Sequence, residues 1–360
     1  MKQISSITQE NFGHLPDGRG VSLYTLNNAQ GMQIKISDFG GIITELYAPD
    51  REEQFADICL GFEHLAPYLD VSPYFGALIG PYGNRIAHGT FELDGQTYSL
   101  PQNNGAHHLH GGEPGFHRVL WGVEPFRNAT ACGLTLRYSR VHGAQGYPGN
   151  LEVKVTYELN DANELHVHYF ATTDQATPVN LTQHTYFNLG GIHTTPDILG
   201  HQLMLNADRY TPVDVGLIPT GELAPVAGTP FDFRQTQSIG ARIADHHQQL
   251  QFGQAYDHNY VLNKNEEQRL SLAARVNEPV SGRVLELWTE EPGLQLYSGN
   301  FLDGSLHGKG VTYQRRSGFC LEPQHFPDSP NQSHFPNVIL RPGDEYHSHT
   351  MYRFLIQDAS

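Results

Sequence analysis

Imidazoles and carboxylates are the side chains that most often move protons in catalysis, and two stretches of this sequence place one of each in an unusual setting. In NLTQHTYFNLGG (180–191), His184 lies between Gln183 and Thr185, with Tyr186 and Phe187 close behind. In CLEPQHFPDSPN (320–331), Glu322 ends an apolar approach and precedes a proline-stiffened loop. A third stretch, GPYGNRIAHGTFELDG, puts Asn84 and Arg85 after a glycine-rich turn, where a guanidinium could stabilise negative charge on a reacting oxygen. Each residue also has a structural reading. His184 fits a core imidazole with satisfied hydrogen bonds, Glu322 an exposed strand-end carboxylate, and Arg85 a solvated or ion-paired arginine. Spacing alone leaves both readings open.

Histidine pairs raise the question of a metal. On a strand, HHLH would point His107 and His108 to opposite faces, while His108 and His110 could share one. No Cys, Asp or Glu nearby completes a familiar ligand spacing. HVH (166–168) and HSH (347–349) are equally ambiguous, and a solvent-facing strand edge accounts for them. The expectation is therefore no metal. GxSxG, GKS/T, HExxH and GxGxxG patterns are absent, which leaves a nucleotide cofactor without support.

The elements that must position these groups are strands. GLTLRY, LEVKVTYELN and ELHVHYF alternate apolar and polar residues, the pattern of strands with one face buried. NDAN (160–163) and Asp94-Gly95 read as hairpin connections, the second supplying the positive φ of a tight turn. Helical signals are few: SIGARIADHHQQL (238–250), with Ser238 as a cap and Ile239/Ile243 at i, i+4, and a turn or two in EHLAPYLD. Many short strands with close turn signals predict an all-β fold, one large antiparallel β-sandwich with few short helices, as a single domain over 1–360.

Lys plus Arg is 22 and Asp plus Glu is 38, so the net charge is 22 − 38 = −16. That balance argues against nucleic-acid and anionic-membrane partners. Cys59, Cys132 and Cys320 are odd in number and far apart, which suits a reducing compartment. MKQISSITQENFG lacks an apolar h-region and no run approaches 18 apolar residues, so a soluble, cytoplasmic chain is expected. Oligomeric state is unreadable.

Taken together and in order, NRIAHGTFELDGQTYSLPQNNGAHHLHGG, NLTQHTYFNLGG and CLEPQHFPDSPN resemble the signatures of the aldose 1-epimerase (galactose mutarotase) family. The resemblance runs from about residue 35 to the C-terminus. One departure is Pro81, where many members carry Arg or another polar residue, and it lies outside the site positions. The resemblance implies a twisted β-sandwich with an open cleft on a sheet face. It further implies interconversion of α and β anomers of free aldoses such as galactose and glucose, without a cofactor. His184 then matches the general acid at the ring oxygen and Glu322 the base at the C1 hydroxyl. Asn84, Arg85 and His110 match sugar-binding and charge-stabilising positions. Asp257 in QAYDHNYVL and Gln295 in GLQLYSGNF match hydroxyl contacts. Two other readings are a non-catalytic sugar binder of the same fold and a hexose-6-phosphate epimerase, the latter needing cations beyond Arg85 and Lys309. A metal-dependent β-barrel enzyme using the HxH pairs is a third.

Overall fold

The computed structural model describes residues 4–265 and 268–358. Antiparallel sheets dominate. A five-stranded meander opens the chain, from Ser6–His14 through Gly20–Asn27, Gln33–Ser37 and Ile43–Pro49 to Phe55–Asp57. Among the described residues the largest sheet has nine strands; next to its edge strand Gly122–Arg127 come the three alternating runs, now Ala131–Arg140, Leu151–Asn160 and Glu164–Thr173. The C-terminal strand Tyr346–Ile356 pairs with Glu164–Thr173 and continues the sheet into Arg283–Thr289. A six-stranded sheet contains Tyr186–Phe187, Phe319–Gln324, Gly293–Tyr297 and Asp257–Leu262 in that spatial order. The all-β architecture expected from the period-two pattern is what forms.

The six-stranded sheet has two unlike faces. Leu294, Leu296, Phe319, Leu321, Tyr260 and Leu262 point into one buried cluster shared with Leu134, Leu136, Val155 and Val167 of the nine-stranded sheet. Each such side chain contributes roughly 1.5–3 kcal/mol by leaving water. Because successive residues alternate faces, the intervening positions Asp257, Gln295, Tyr297, Cys320 and Glu322 all project to the opposite side. Their neighbours across the ladder are fixed by register, with Gln295 opposite Glu322 and Asp257 opposite Tyr297. A strand pattern thus gathers polar groups from sequence positions 257 to 322 onto one surface.

Hairpin expectations hold. Asp94 (φ 52°) and Gly95 (φ 78°) join Thr90–Leu93 to Gln96–Ser99, and 160–163 joins two long strands of the nine-stranded sheet. EHLAPYLD holds the short helix Leu65–Asp70.

Three expectations need correction. Residues 238–250 form no continuous helix: a 3₁₀ turn at Ile239–Ala241 and a short helix Gln248–Phe252 are separated by non-helical backbone at Arg242 (φ −129°). Ile239 and Ile243 are both core residues, so tertiary burial explains their spacing, and His247, not Ser238, caps a helix. His108 and His110 do not share a face, because His110 adopts φ 52° and leaves the two-residue strand His108–Leu109. His108 is tied by its ring nitrogens to Pro101 O (2.7 Å) and Tyr147 Oη (2.8 Å). Finally, HVH and HSH face solvent but occupy neighbouring interior strands of the nine-stranded sheet, not an edge.

Candidate active site

His184 ends the short strand Thr182–His184, which pairs with Ala77–Ile79. The amide-rich surroundings of this imidazole are backbone clamps. Asn180 Nδ2 donates to Gly83 O and His325 O (both 3.2 Å), and Gln183 Nε2 donates to Gly76 O (2.7 Å). Asn188 Nδ2 donates to Thr195 O (2.8 Å) and Ser317 O (3.0 Å). Gly76 N donates in turn to His184 O (3.0 Å). Gly76 is obligatory there: at φ 62°, a Cβ would meet Ile43 O at 2.0 Å. The His184 ring is held between Tyr74 and Tyr186, at centroid distances of 5.7 and 5.1 Å and tilts of 28° and 25°. Such packing removes rotamer freedom and sets where the nitrogens point.

Glu322 comes from the facing strand Phe319–Gln324, and its Oε2 stands 3.6 Å from His184 Nε2. Both side chains are almost fully buried, and Glu322 Oε2 has no hydrogen-bond partner among the described residues. Cys320, two residues earlier on the same face, brings its Sγ to 3.5 Å from His184 Nδ1.

Burial shifts the ionisation of this pair away from the ordinary values. An isolated glutamate is ionised and a histidine half-protonated near pH 6.5. Here burial, reinforced by the negative charge of Asp257 and opposed by Arg85, pushes Glu322 well above the ordinary carboxylate range. Burial likewise pushes His184 down to about 4, with a smaller push from His117 that a hydrogen bond to its own backbone opposes. A neutral carboxyl beside a neutral imidazole holds one proton. A carboxylate beside an imidazolium holds the same one. The two forms carry the same number of protons and differ only by a proton shift within the pair.

Around this pair lies a pocket of about 280 Å³, lined by Asn84, Arg85, His110, His184, Asp257 and Glu322 among others. That is the small end of ligand pockets, which run from roughly 300 Å³ upward. Arg85 is buried, donates Nε–H to Asn104 Oδ1 (3.1 Å), and lies close enough to oppose the upward shifts of both Asp257 and Glu322. Asn84 (φ 64°) and His110 exchange bonds: Asn84 N donates to His110 Nδ1 and His110 N to Asn84 O, both 3.1 Å. With Nδ1 accepting, and burial first among the causes pushing the ring well below the ordinary histidine range, His110 is a neutral ring whose proton sits on Nε2.

Six of the seven predicted site residues therefore line one pocket. Gln295 does not line it. It stands behind Asp257, donating Nε2–H to Asp257 Oδ1 (2.7 Å) and accepting from Gln324 Nε2 (3.4 Å). Sequence reasoning passed over Tyr74, Asn104, Tyr186, Tyr297 and Phe301, which also line the pocket. Tyr297 was within reach, because strand period places it on the same face as Gln295. Tyr74, at φ 67° in an irregular segment, offered no such signal. His110, His184 and Glu322 bring possible ligand atoms within 4.8 Å of one another, so this group could also hold an ion.

Fold and site together define a class: a large antiparallel β-protein with an acid–base pocket on one sheet face. Comparison with known proteins narrows it. The family model described as aldose 1-epimerase matches residues 22–353. The chain is 46% identical to galactose mutarotase of Homo sapiens over 98% of its length and 100% of the relative's. It is 38% identical to aldose 1-epimerase of Escherichia coli K12, over 95% of this chain and 97% of that one. Among solved structures, galactose 1-epimerase from Lactobacillus acidophilus NCFM superposes with a TM-score of 0.87 at 26% identity, covering 98% of this chain and 100% of the other. The chain belongs to the aldose 1-epimerase family of isomerases.

Proposed function

We propose that this chain interconverts the α and β anomers of free aldohexoses such as galactose and glucose, with His184 as general acid and Glu322 as general base. The observation that carries the reading is the convergence of one imidazole and one carboxylate, 3.6 Å apart, in a buried pocket. O1 and O5 of a cyclic aldose are bonded to the same carbon, so the groups that serve them must converge. Glu322 takes the proton from the C1 hydroxyl while His184 gives one to the ring oxygen, and the C1–O5 bond breaks to an aldehyde. Rotation about C1–C2 presents the other face. Closure returns the proton from the C5 hydroxyl to His184 and delivers the Glu322 proton to O1. Both groups end as they began, and no cofactor enters the balance. Positioned acid–base groups are each worth roughly 10²–10⁴-fold.

Arg85 and His110 Nε2–H supply donors for oxygens that gain negative charge. Asn84 and Asp257 bind further hydroxyls, with Gln295 orienting the Asp257 carboxylate. A phosphorylated hexose is disfavoured, because Lys309, the other cation considered for it, is buried against Asp57 with Nζ–Oδ2 at 2.6 Å. The buried, unbridged Cys59, Cys132 and Cys320 support a reducing, cytoplasmic setting. No helix among the described residues is long and apolar enough to cross a membrane. The core cluster running from Tyr24 to Phe354 supports reading 1–360 as one domain.

Polarimetry on freshly dissolved α-D-galactose and α-D-glucose tests the proposal. Faster relaxation to the same final rotation is expected. No acceleration with either sugar, in a folded sample, would leave a phosphosugar substrate or simple sugar binding.

A further inference from the structure

The histidine pairs that the catalytic reading leaves unused come together in space. His168 and His349 are direct cross-strand partners in the interior of the nine-stranded sheet, and His166 lies on the same outer face. Their rings stack nearly parallel, His168 on His349 at 4.0 Å between centroids and His166 beside His349 at 5.2 Å. His166 Nδ1 is 3.0 Å from His349 Nε2, and one ligand nitrogen from each of the three rings falls within 4.8 Å of the others. Strand segments 183 positions apart in sequence thus converge on one point.

The surroundings orient this cluster. Glu164 Oε2 lies 3.2 Å from His166 Nε2, and Glu164 is itself held by Arg353 Nε (2.7 Å) and Asn160 Nδ2 (2.7 Å). A fixed carboxylate accepting Nε2–H leaves the Nδ1 lone pair of His166 facing His349, the arrangement by which carboxylates commonly orient metal-binding imidazoles. Nitrogens bound to zinc at 2.0–2.1 Å stand about 3.4 Å apart in a tetrahedron, close to the His166–His349 spacing. His168 is exposed and can turn to complete the set. An open depression of about 560 Å³ beside His168 and His349 leaves room for water as the fourth ligand.

We propose that His166, His168 and His349 form a binding site for one divalent transition-metal ion of the zinc, nickel or copper class, on the outer face of the nine-stranded sheet and separate from the catalytic pocket. Three imidazoles without thiolate select these ions over calcium and magnesium, which prefer oxygen. The bound ion ties Glu164–Thr173 to Tyr346–Ile356.

The test is titration of chelator-treated, full-length protein with zinc chloride by calorimetry, alongside His349→Asn, His168→Asn, Glu164→Gln and His184→Asn. One tight site per chain is expected. Loss of a direct ligand should weaken it by more than about 100-fold and Glu164→Gln by about 10–100-fold, while His184→Asn leaves it unchanged. Zinc should raise the melting temperature of the unmodified chain and of His184→Asn, and not that of the ligand variants. His168→Asn, altering an exposed side chain, keeps the test valid should His349→Asn fold poorly. The proposal is overturned by the absence of a one-to-one site tighter than about 100 µM, by less than a tenfold change in His168→Asn, or by loss of binding in His184→Asn. The last outcome would move the ion to His110, His184 and Glu322.

Discussion

Replacing Glu322 by Gln should remove catalysis and leave the fold more stable at neutral pH. The kinetic part follows from removing the proposed base, worth roughly 10²–10⁴-fold by itself. The neighbouring acid suffers too. In the reactive form, carboxylate and imidazolium 3.6 Å apart attract by about 5 kcal/mol at an effective dielectric constant near 20, and an amide forfeits most of that. The expected kcat loss is at least about 10³-fold, with KM within about threefold, because the amide keeps the shape of the site. Since the two groups act as a unit, His184→Asn/Glu322→Gln should be within about tenfold of Glu322→Gln alone. Stability moves the other way. A carboxyl raised above its unfolded value near 4.3 keeps its proton in the folded state while the unfolded chain releases one, so stability falls as pH rises from about 4.3 toward the folded value. Each pH unit of that elevation is about 1.4 kcal/mol, and Gln is free of this loss. Polarimetric initial rates and melting curves at pH 4 and 7 measure both effects. A kcat reduction below tenfold, or a variant that melts lower than the parent at pH 7 as well as at pH 4, would refute the reasoning.

Three further outcomes follow from the same site. With His184 pushed down to about 4, a second proton enters the pair only in acid solution, so kcat/KM should hold down to pH 5. An acid limb centred near 6.5 in a pH–rate profile would show an ordinary, exposed imidazole instead. Gln295→Leu removes the donor that orients Asp257 and should lower kcat/KM by roughly 10–100-fold, the worth of a hydrogen bond to a charged group, read from the dependence of initial rate on sugar concentration. Treatment with EDTA should leave mutarotation intact, and a loss restored by one metal ion would require a catalytic ion.

Much of the fold was legible because period-two burial is a local property. Leu151, Val153, Val155, Tyr157 and Leu159 alternate whatever lies above them, and all five are buried. The Asp94-Gly95 hairpin was equally local, since its backbone angles depend on two residues. By contrast, Ile239 and Ile243 misled, because an i, i+4 spacing can arise from two separate turns packed on one core. Six of the seven residues that the family resemblance singled out line one pocket, whereas Gln295, expected at a sugar hydroxyl, stands behind it on the Asp257 carboxylate, a contact not foreseen.

Chain order and residue type by themselves determined the strands, the hairpins and the chemical inventory: two imidazoles, two carboxylates, one guanidinium beside an amide. Tertiary structure alone decided their protonation, because the pKa values of His184 and Glu322 depend on burial by segments scattered between residues 73 and 322. It also decided that His166, His168 and His349 meet, and that Tyr74 packs on His184. Electrostatic environment and strand partnership are sums over distant neighbours, and no local window of sequence contains them.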